Sequence, residues 1–391
     1  MRVLLAPDKF KDALDAPAVC AAMEAGVRDA WPQAEVRACP LADGGEGTGR
    51  LLAAVLQAQP QYAVALDPLG RERIAQWWLT PDHRTAVVEM AAASGLCLLA
   101  PHERRAPHAS SFGTGQLLRA AWDRQVQRIL LCVGGSATVD GGAGCLQALG
   151  WELRDAGGRA LPAPVTAQML PRVADLRRPP GAAFPELEIL CDVDNPLLGP
   201  RGAIPVYAPQ KGADPAELVQ LELGLRHWAG VLERLGAKGI GDLPHGGAAG
   251  GLPAGLHAAL GARLVSGFER VADLTELARQ LSECDLCLTG EGRLDEQTVA
   301  GKVVAGVARH ARAAGVPAVA FVGAARVPGN GSLRELADAV GLTEIVAISP
   351  PGLPTEQAIA RTAEFLRGAV RDLLSRWPGG PSAGRSGHGY N

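Results

Sequence analysis

Five segments of the chain concentrate the residue types that polar chemistry needs. They are Asp8-Lys9-Phe10-Lys11, Asp43-Gly44-Gly45-Glu46-Gly47-Thr48-Gly49, the long run from Gly134-Gly135-Ser136-Ala137-Thr138 through Asp140-Gly141-Gly142-Ala143-Gly144, Asp192-Val193-Asp194-Asn195-Pro196, and Gly290-Glu291-Gly292-Arg293-Leu294-Asp295. Glycine beside carboxylates suits nucleotide-phosphate chemistry. Glycine lets backbone N–H groups approach a phosphate closely, often where a helix N-terminus favours an anion. Carboxylates repel phosphate but hold Mg²⁺, which takes hard oxygen ligands. Lysines neutralise what charge remains, and Lys9, Lys11, Lys211 and Lys302 are the candidates. Gly246-Gly247-Ala248-Ala249-Gly250-Gly251 is a further loop able to wrap a phosphate or seat a carboxylate.

What precedes these segments gives them a common address. Short apolar runs at Val3–Ala6, Ile129–Val133, Leu187–Cys191 and Leu286–Thr289 read as buried parallel strands, as do Ala318–Val322 and Ile345–Ile348. Val36–Cys39 leads into the segment at Asp43 in the same way. In open α/β sheets, ligands bind outside the carboxyl ends of the strands. One such turn alone is commonly only a turn, Asp43 or Asp295 can be a helix cap, and Lys9 and Lys11 can be solvated. The recurrence at strand end after strand end favours a single large polar site.

Familiar nucleotide signatures are missing. No G-x-x-x-x-G-K-[ST] occurs, since Lys302 is followed by Val303, and Gly290-x-Gly292 meets Asp295 where a third glycine would complete G-x-G-x-x-G. Gly134-Gly135-Ser136-Ala137-Thr138 follows a strand as a hydrolase nucleophile elbow does, but Thr138 stands where that motif has glycine.

Helical patterns lie between the strands. Asp15 can cap a helix whose apolar stripe is Val19, Met23, Val27 and Trp31, and Leu218, Leu221, Leu225, Trp228 and Leu232 form another stripe. Leu51–Leu56, Val299–Ala314 and Glu356–Leu374 also read as helices. Between Asp67 and Val88 the pattern changes to a turn and a hairpin, Ala75–Leu79 with Ala86–Val88. The fold class is α/β with two domains: a parallel-sheet domain from 1–66 and 285–377, a mixed α/β domain inserted at 67–284, and a disordered low-complexity tail at 378–391.

Composition narrows the function. At 391 residues the chain exceeds one compact core. Apolar residues make up 47%, aromatics only 4%, so Ala, Leu and Val must fill the interior. With a net charge of −3 and scattered basic residues, no nucleic-acid surface is expected. No apolar run approaches the roughly 20 residues of a membrane span. The N-terminus turns polar at Asp8, too soon for a signal peptide, so a cytoplasmic location is expected. The Cys284-x-x-Cys287 pair has no second pair to complete a zinc site.

Taken in order, the segments resemble the bacterial class I glycerate kinases from Arg2 to about Leu374. The matching motifs include Ala6-Pro7-Asp8-Lys9-Phe10-Lys11, Ala42-Asp43-Gly44-Gly45-Glu46-Gly47-Thr48, Glu89-Met90-Ala91, Ala93-Ser94-Gly95-Leu96 and Phe112-Gly113-Thr114-Gly115. Gly134–Thr138, Asp140–Gly144, Cys191-Asp192-Val193, Pro209-Gln210-Lys211-Gly212-Ala213 and Thr289–Asp295 continue the series. Val139, Val304, Asp12 and Ala13 depart from the family's usual Asn, Pro, Gly and Ser, and none of these changes removes a charge from the candidate site. The resemblance implies a flavodoxin-like domain carrying an inserted α/β domain. It also implies ATP- and Mg²⁺-dependent phosphorylation of D-glycerate, with 2-phosphoglycerate the favoured product. A monomer or homodimer is expected.

Phosphoryl transfer asks for positioning and charge neutralisation. On that footing Asp43, Glu46 and Glu291 are expected at the metal, together with Asp295, and Lys302 serves as a neutralising cation. Gly44, Gly45, Gly134, Gly135, Ser136, Thr138, Asp140, Gly290 and Gly292 are expected around the nucleotide. Arg293, Lys211 or Lys9 can hold the substrate carboxylate, with Asp8 and Lys11 nearby, and Asp192 is the first choice for the proton acceptor. A kinase for another small hydroxy acid, or a non-catalytic ligand-binding regulator, would be built on the same scaffold. A regulator would be expected to lose some of these acidic groups, and all are present.

Overall fold

A computed structural model describes residues 1–181, 183–191, 193–294, 303–325, 332–350 and 352–378. Asp192, Asp295, Lys302 and the tail from 379 onward lie outside the described residues. The described strands are β1 Arg2–Leu5, β2 Glu35–Ala38, β3 Gln59–Leu66, β4 Glu72–Leu79, β5 Thr85–Glu89, β6 Arg128–Cys132, β7 Glu152–Arg154, β8 Asp175–Arg177, β9 Glu186–Cys191, β10 Arg263–Ser266, β11 Leu286–Leu294, β12 Ala318–Ala325 and β13 Glu344–Ala347. Every parallel strand expected from an apolar run is among them. None of the described helices is long and apolar enough to cross a membrane.

The chain forms two compact α/β units, 1–42 with 271–391, and 43–270. The boundaries differ from those expected at 66 and 284. Gln59–Leu66 pairs antiparallel with β4 along its whole length, from Gln59 opposite Leu79 to Leu66 opposite Glu72. That pairing ties β3 to the inserted unit. Its alternation of exposed and half-buried positions carries little apolar signal, so the sequence did not mark it as a strand.

The first unit holds the sheet β13-β12-β11-β1-β2, with every neighbouring pair parallel. Counted within the unit, this order is that of flavodoxin, with the topological switch point between β1 and β11. Its core includes Val3, Leu5, Val19, Met23, Val27, Leu288, Val319, Phe321, Leu366 and Val370. Asp15 caps the helix Ala16–Ala30 as its position suggested, accepting from Ala18 N at 3.0 Å. Burial pushes the Cys20 thiol in this helix up to about 12, so it packs as a small neutral hydrophobe.

Helix Ala16–Ala30 packs against helix Thr362–Ser375 where Gly26 leaves no room for a side chain: a Cβ there would lie 2.5 Å from the Arg367 carbonyl oxygen and 2.8 Å from Val370 Cβ. Gly368, on the second helix, faces open space. The two glycines should therefore respond oppositely to alanine. Gly26→Ala is expected to destabilise by about 1–3 kcal/mol through overpacking. Gly368→Ala is expected to stabilise by about 0.4–1 kcal/mol, because alanine restricts the unfolded chain. Denaturant titrations of both variants check the pair, and a stabilising Gly26→Ala would contradict this packing.

The second unit is built on the sheet β10-β9-β6-β5-β4-β3, in which β5, β6, β9 and β10 run parallel and β3, β4 and β5 antiparallel. A separate pair, β7 with β8, completes it. The core contains Trp77, Trp228, Leu117, Leu118, Leu131, Ile189 and Leu225. Helix Pro215–Glu233 buries Leu221, Leu225, Trp228 and Leu232, as the stripe predicted.

Candidate active site

In the first unit, the candidate residues flank the switch point. Asp8 follows β1, is 7% exposed, and accepts from Lys9 N at 2.7 Å, while its own N–H donates to the Gly290 carbonyl at 2.9 Å. Beside it, β11 carries Gly290, Glu291, Gly292 and Arg293. Glu291 is buried, whereas Arg293 and Lys11 are exposed. Thr289 Oγ1 donates to the Ala6 carbonyl at 2.7 Å and binds the two strands where the site begins. The glycines here have a packing reason. A Cβ on Gly292 would lie 2.9 Å from Lys11 N, and one on Gly290 would run into the Phe321 carbonyl. They bring Lys11 and β12 close to β11.

In the second unit, the loops after β5, β6 and β9 lie at the carboxyl ends of neighbouring parallel strands. The loop containing Asp43, Gly44, Gly45 and Glu46 joins them. Asp43 Oδ1 accepts from Gly45 N at 3.0 Å, and Gly134 N donates to the Gly44 carbonyl at 3.3 Å. A Cβ on Gly135 would lie 3.4 Å from Glu46 Oε2. Thus the acidic loop and the Gly134–Thr138 loop, distant in sequence, meet in space. Lys211 comes to the same place from the turn Pro209–Lys211, with its Nζ 2.7 Å from Ser136 Oγ and 2.8 Å from the Thr138 carbonyl oxygen.

Two residues expected around the nucleotide, Asp140 and Thr138, lie inside the protein. Asp140 is fully buried, and its carboxylate accepts from Ser111 N and Ser111 Oγ at 2.8 Å each, and from Gly142 N and Gly144 N at 3.3 Å each. Its oxygens are occupied by the protein, so it organises the loop instead of facing a ligand. Burial raises its pKa, against the opposing pull of these hydrogen bonds. Thr138 is also fully buried; its backbone carbonyl receives Lys211, and its Oγ1 has no hydrogen-bond partner among the described residues.

Sequence reading missed Glu89 as a working residue. Its Oε1 accepts from Gly47 N at 2.8 Å and Gly49 N at 2.9 Å, at the start of helix Thr48–Val55. A protein carboxylate thus takes the N-terminal position that the glycine pattern offered to phosphate. The end of β5, bordering β6, was the available signal. Ser94 is a second omission: buried, it receives Thr114 Oγ1 at 2.7 Å, and its carbonyl accepts from Ala137 N at 2.9 Å.

The meeting of the two glycine loops gives a measurable expectation. A Cβ on Gly134 would run into Gly45 Cα and lie 2.6 Å from Glu46 N. Gly134→Ala should separate the loops and lower kcat/KM by about 10²-fold, the scale of a misplacement near 1 Å. Gly158→Ala, where no atom lies within 4 Å but φ is +75°, should cost about 1 kcal/mol of stability and leave activity unchanged. Equal activity in the two variants would refute the role of the contact.

The sequence matches the glycerate kinase family over residues 3–378. The chain belongs to that family. A glycerate kinase from Halalkalibacterium halodurans is 39% identical over 382 residues, 96% of this chain and 98% of its own. The glycerate 2-kinase of Escherichia coli is 40% identical over 325 residues, 83% of this chain and 85% of its own. A crystal structure from Salmonella typhimurium LT2, assigned as glycerate kinase 2, superposes with a TM-score of 0.81 at 38% identity, covering 95% of this chain and 97% of that one. As a glycerate kinase, the chain is an enzyme that phosphorylates glycerate, with ATP the phosphoryl donor that a kinase of this family implies.

In this glycerate kinase, no group of three or more potential metal-ligating side chains clusters among the described residues. Mg²⁺ seldom uses an all-protein cage and is usually held by one or two carboxylates together with substrate phosphates. Asp43 and Glu46, three residues apart on one loop beside Gly135, fit that smaller donor set.

Proposed function

We propose that this enzyme transfers the γ-phosphoryl group of ATP to D-glycerate in the cytosol, with Mg²⁺ required and 2-phosphoglycerate as product. The observation that carries the reading is the meeting of the acidic glycine loop, the Gly134–Thr138 loop and the buried Lys211 at the parallel strand ends of the second unit. Carboxylates for a cation, backbone N–H groups and a lysine for anions are what phosphoryl transfer asks of a protein. The 40% identical relative named glycerate 2-kinase supports the choice of product.

The residue roles follow the same chemistry. Asp43 and Glu46, on one loop of the second unit, are assigned to Mg²⁺. Gly44, Gly45, Gly135 and Ser136 are assigned to phosphate, and Lys9 and Lys302 neutralise charge. Arg293, with Asp8 and Lys11 in the same unit, is assigned to the substrate carboxylate, and Asp192 to the hydroxyl proton.

ADP release by the purified enzyme should depend on glycerate and stop on adding EDTA. The product should feed enolase without phosphoglycerate mutase. ADP release that is unchanged when glycerate is omitted, or equal turnover of glycerol, would overturn the substrate. A strict requirement for the mutase would show that the other hydroxyl is phosphorylated.

A further inference from the structure

Lys211 is only 3% exposed, an unusual place for an ammonium group. Its Nζ lies 2.7 Å from Ser136 Oγ and 2.8 Å from the Thr138 carbonyl oxygen. An ammonium group has donors and no acceptor, so the Ser136 oxygen must accept and its own proton must point elsewhere. No described side chain or carbonyl takes that proton. The loop is fixed from its other side, where Leu96 N donates to the Gly135 carbonyl at 2.8 Å and Ala137 N to the Ser94 carbonyl at 2.9 Å. Lys211 also places positive charge directly behind the hydroxyl, which strengthens Ser136 as a donor to an anion.

We propose that Lys211 is a positioning residue that locks the Ser136 hydroxyl as a hydrogen-bond donor to an oxyanion of the bound reactants. That oxyanion is the glycerate carboxylate or an oxygen of the transferred phosphoryl group. The inference rests on the function proposed above and adds that the lysine acts through the serine.

Full-length Ser136→Ala, Lys211→Met and the double variant test it, through kcat, both KM values, melting temperature, and separate calorimetric titrations with ATP and with glycerate. Ser136→Ala should lower kcat/KM by about 10–100-fold, the scale of one hydrogen bond to a charged group, and lower the melting temperature by only a few degrees, since the Lys211 ammonium loses one acceptor and keeps the Thr138 carbonyl. Lys211→Met should cost a similar factor in the parent enzyme but at most a few-fold in the Ser136→Ala background, because both changes remove the same oriented donor. A rise in the glycerate KM alone would identify the carboxylate; a fall in kcat or a rise in the ATP KM would identify the phosphoryl oxygen. Equal costs of Lys211→Met in both backgrounds would overturn the inference, as would normal kinetics in Ser136→Ala. That second readout holds even if Lys211→Met does not fold. If the parent enzyme fails to turn over glycerate, the proposed function falls. Calorimetry then decides the inference separately: weaker binding of ATP or glycerate by Ser136→Ala sustains it, and equal binding of both, or no binding by the parent, overturns it.

Discussion

Asp192→Asn is expected to lower kcat by roughly 10²–10⁴-fold with little change in melting temperature, as loss of a general base does. Asp192 lies outside the described residues, but the chain on either side of it is firmly held. It follows β9, which pairs with β6 on one side and β10 on the other. His245 Nδ1 donates to the Val193 carbonyl at 2.7 Å, and His245 N donates to the Asp194 carbonyl at 3.2 Å. Asn195 Nδ2 donates to the Arg201 carbonyl at 2.7 Å, while Tyr207 donates to Asn195 Oδ1 at 2.6 Å. Asparagine keeps the shape and removes the base, so kcat should report the proton transfer. A purely structural aspartate would instead lower the melting temperature and leave kcat at low temperature within a few-fold. A metal ligand would raise the Mg²⁺ concentration needed for half-maximal rate.

Asp140→Ala should have the largest effect on stability. Removing the carboxylate leaves Ser111 N, Gly142 N and Gly144 N inside the protein without their acceptor. Each unsatisfied buried donor costs about 1–3 kcal/mol before relaxation. A total of roughly 3–5 kcal/mol, or a melting-temperature drop on the order of 10 °C, is expected. Activity should fall as well, since Asp140 anchors the loop that begins at Gly134.

Asp140→Asn isolates the charge. Burial raises the Asp140 pKa, so the folded protein holds this proton at pH values where the unfolded chain, titrating near the usual ~3.9, has lost it. The group's contribution is therefore complete below the unfolded value and is lost as pH rises through the folded one. The stability advantage of the parent protein over Asp140→Asn should be greatest near the ordinary carboxylate range and shrink toward neutrality. An advantage that grows with pH would mean that the hydrogen bonds outweigh desolvation.

The parallel strands were legible because a strand buried on both faces must be a short apolar run, as at Leu286–Thr289 or Ile129–Val133. The strand-end rule then located the polar loops without any standard phosphate motif. The edge strand β3 was not legible, because one exposed face dilutes its pattern, and the unit boundary was misplaced with it. Within the site, residue type could not separate Asp43 from Asp140: the first is half-buried at a loop, the second sealed in by Ser111 and two glycines. Nor could it show Lys211 buried against Ser136, a contact made across 75 residues of chain. Burial and pairing of charge are tertiary facts, set by which loops the sheet order brings together.

As a glycerate kinase, this chain moves a phosphoryl group from ATP to a hydroxyl of glycerate. ³¹P NMR of the full-length enzyme with ATP, Mg²⁺ and D-glycerate tests it most directly. The expected spectrum shows the ATP signals replaced by those of ADP and one new phosphomonoester, 2-phosphoglycerate, in equal amounts. Free inorganic phosphate as the sole new product, or an unchanged ATP spectrum with glycerate present, would contradict it.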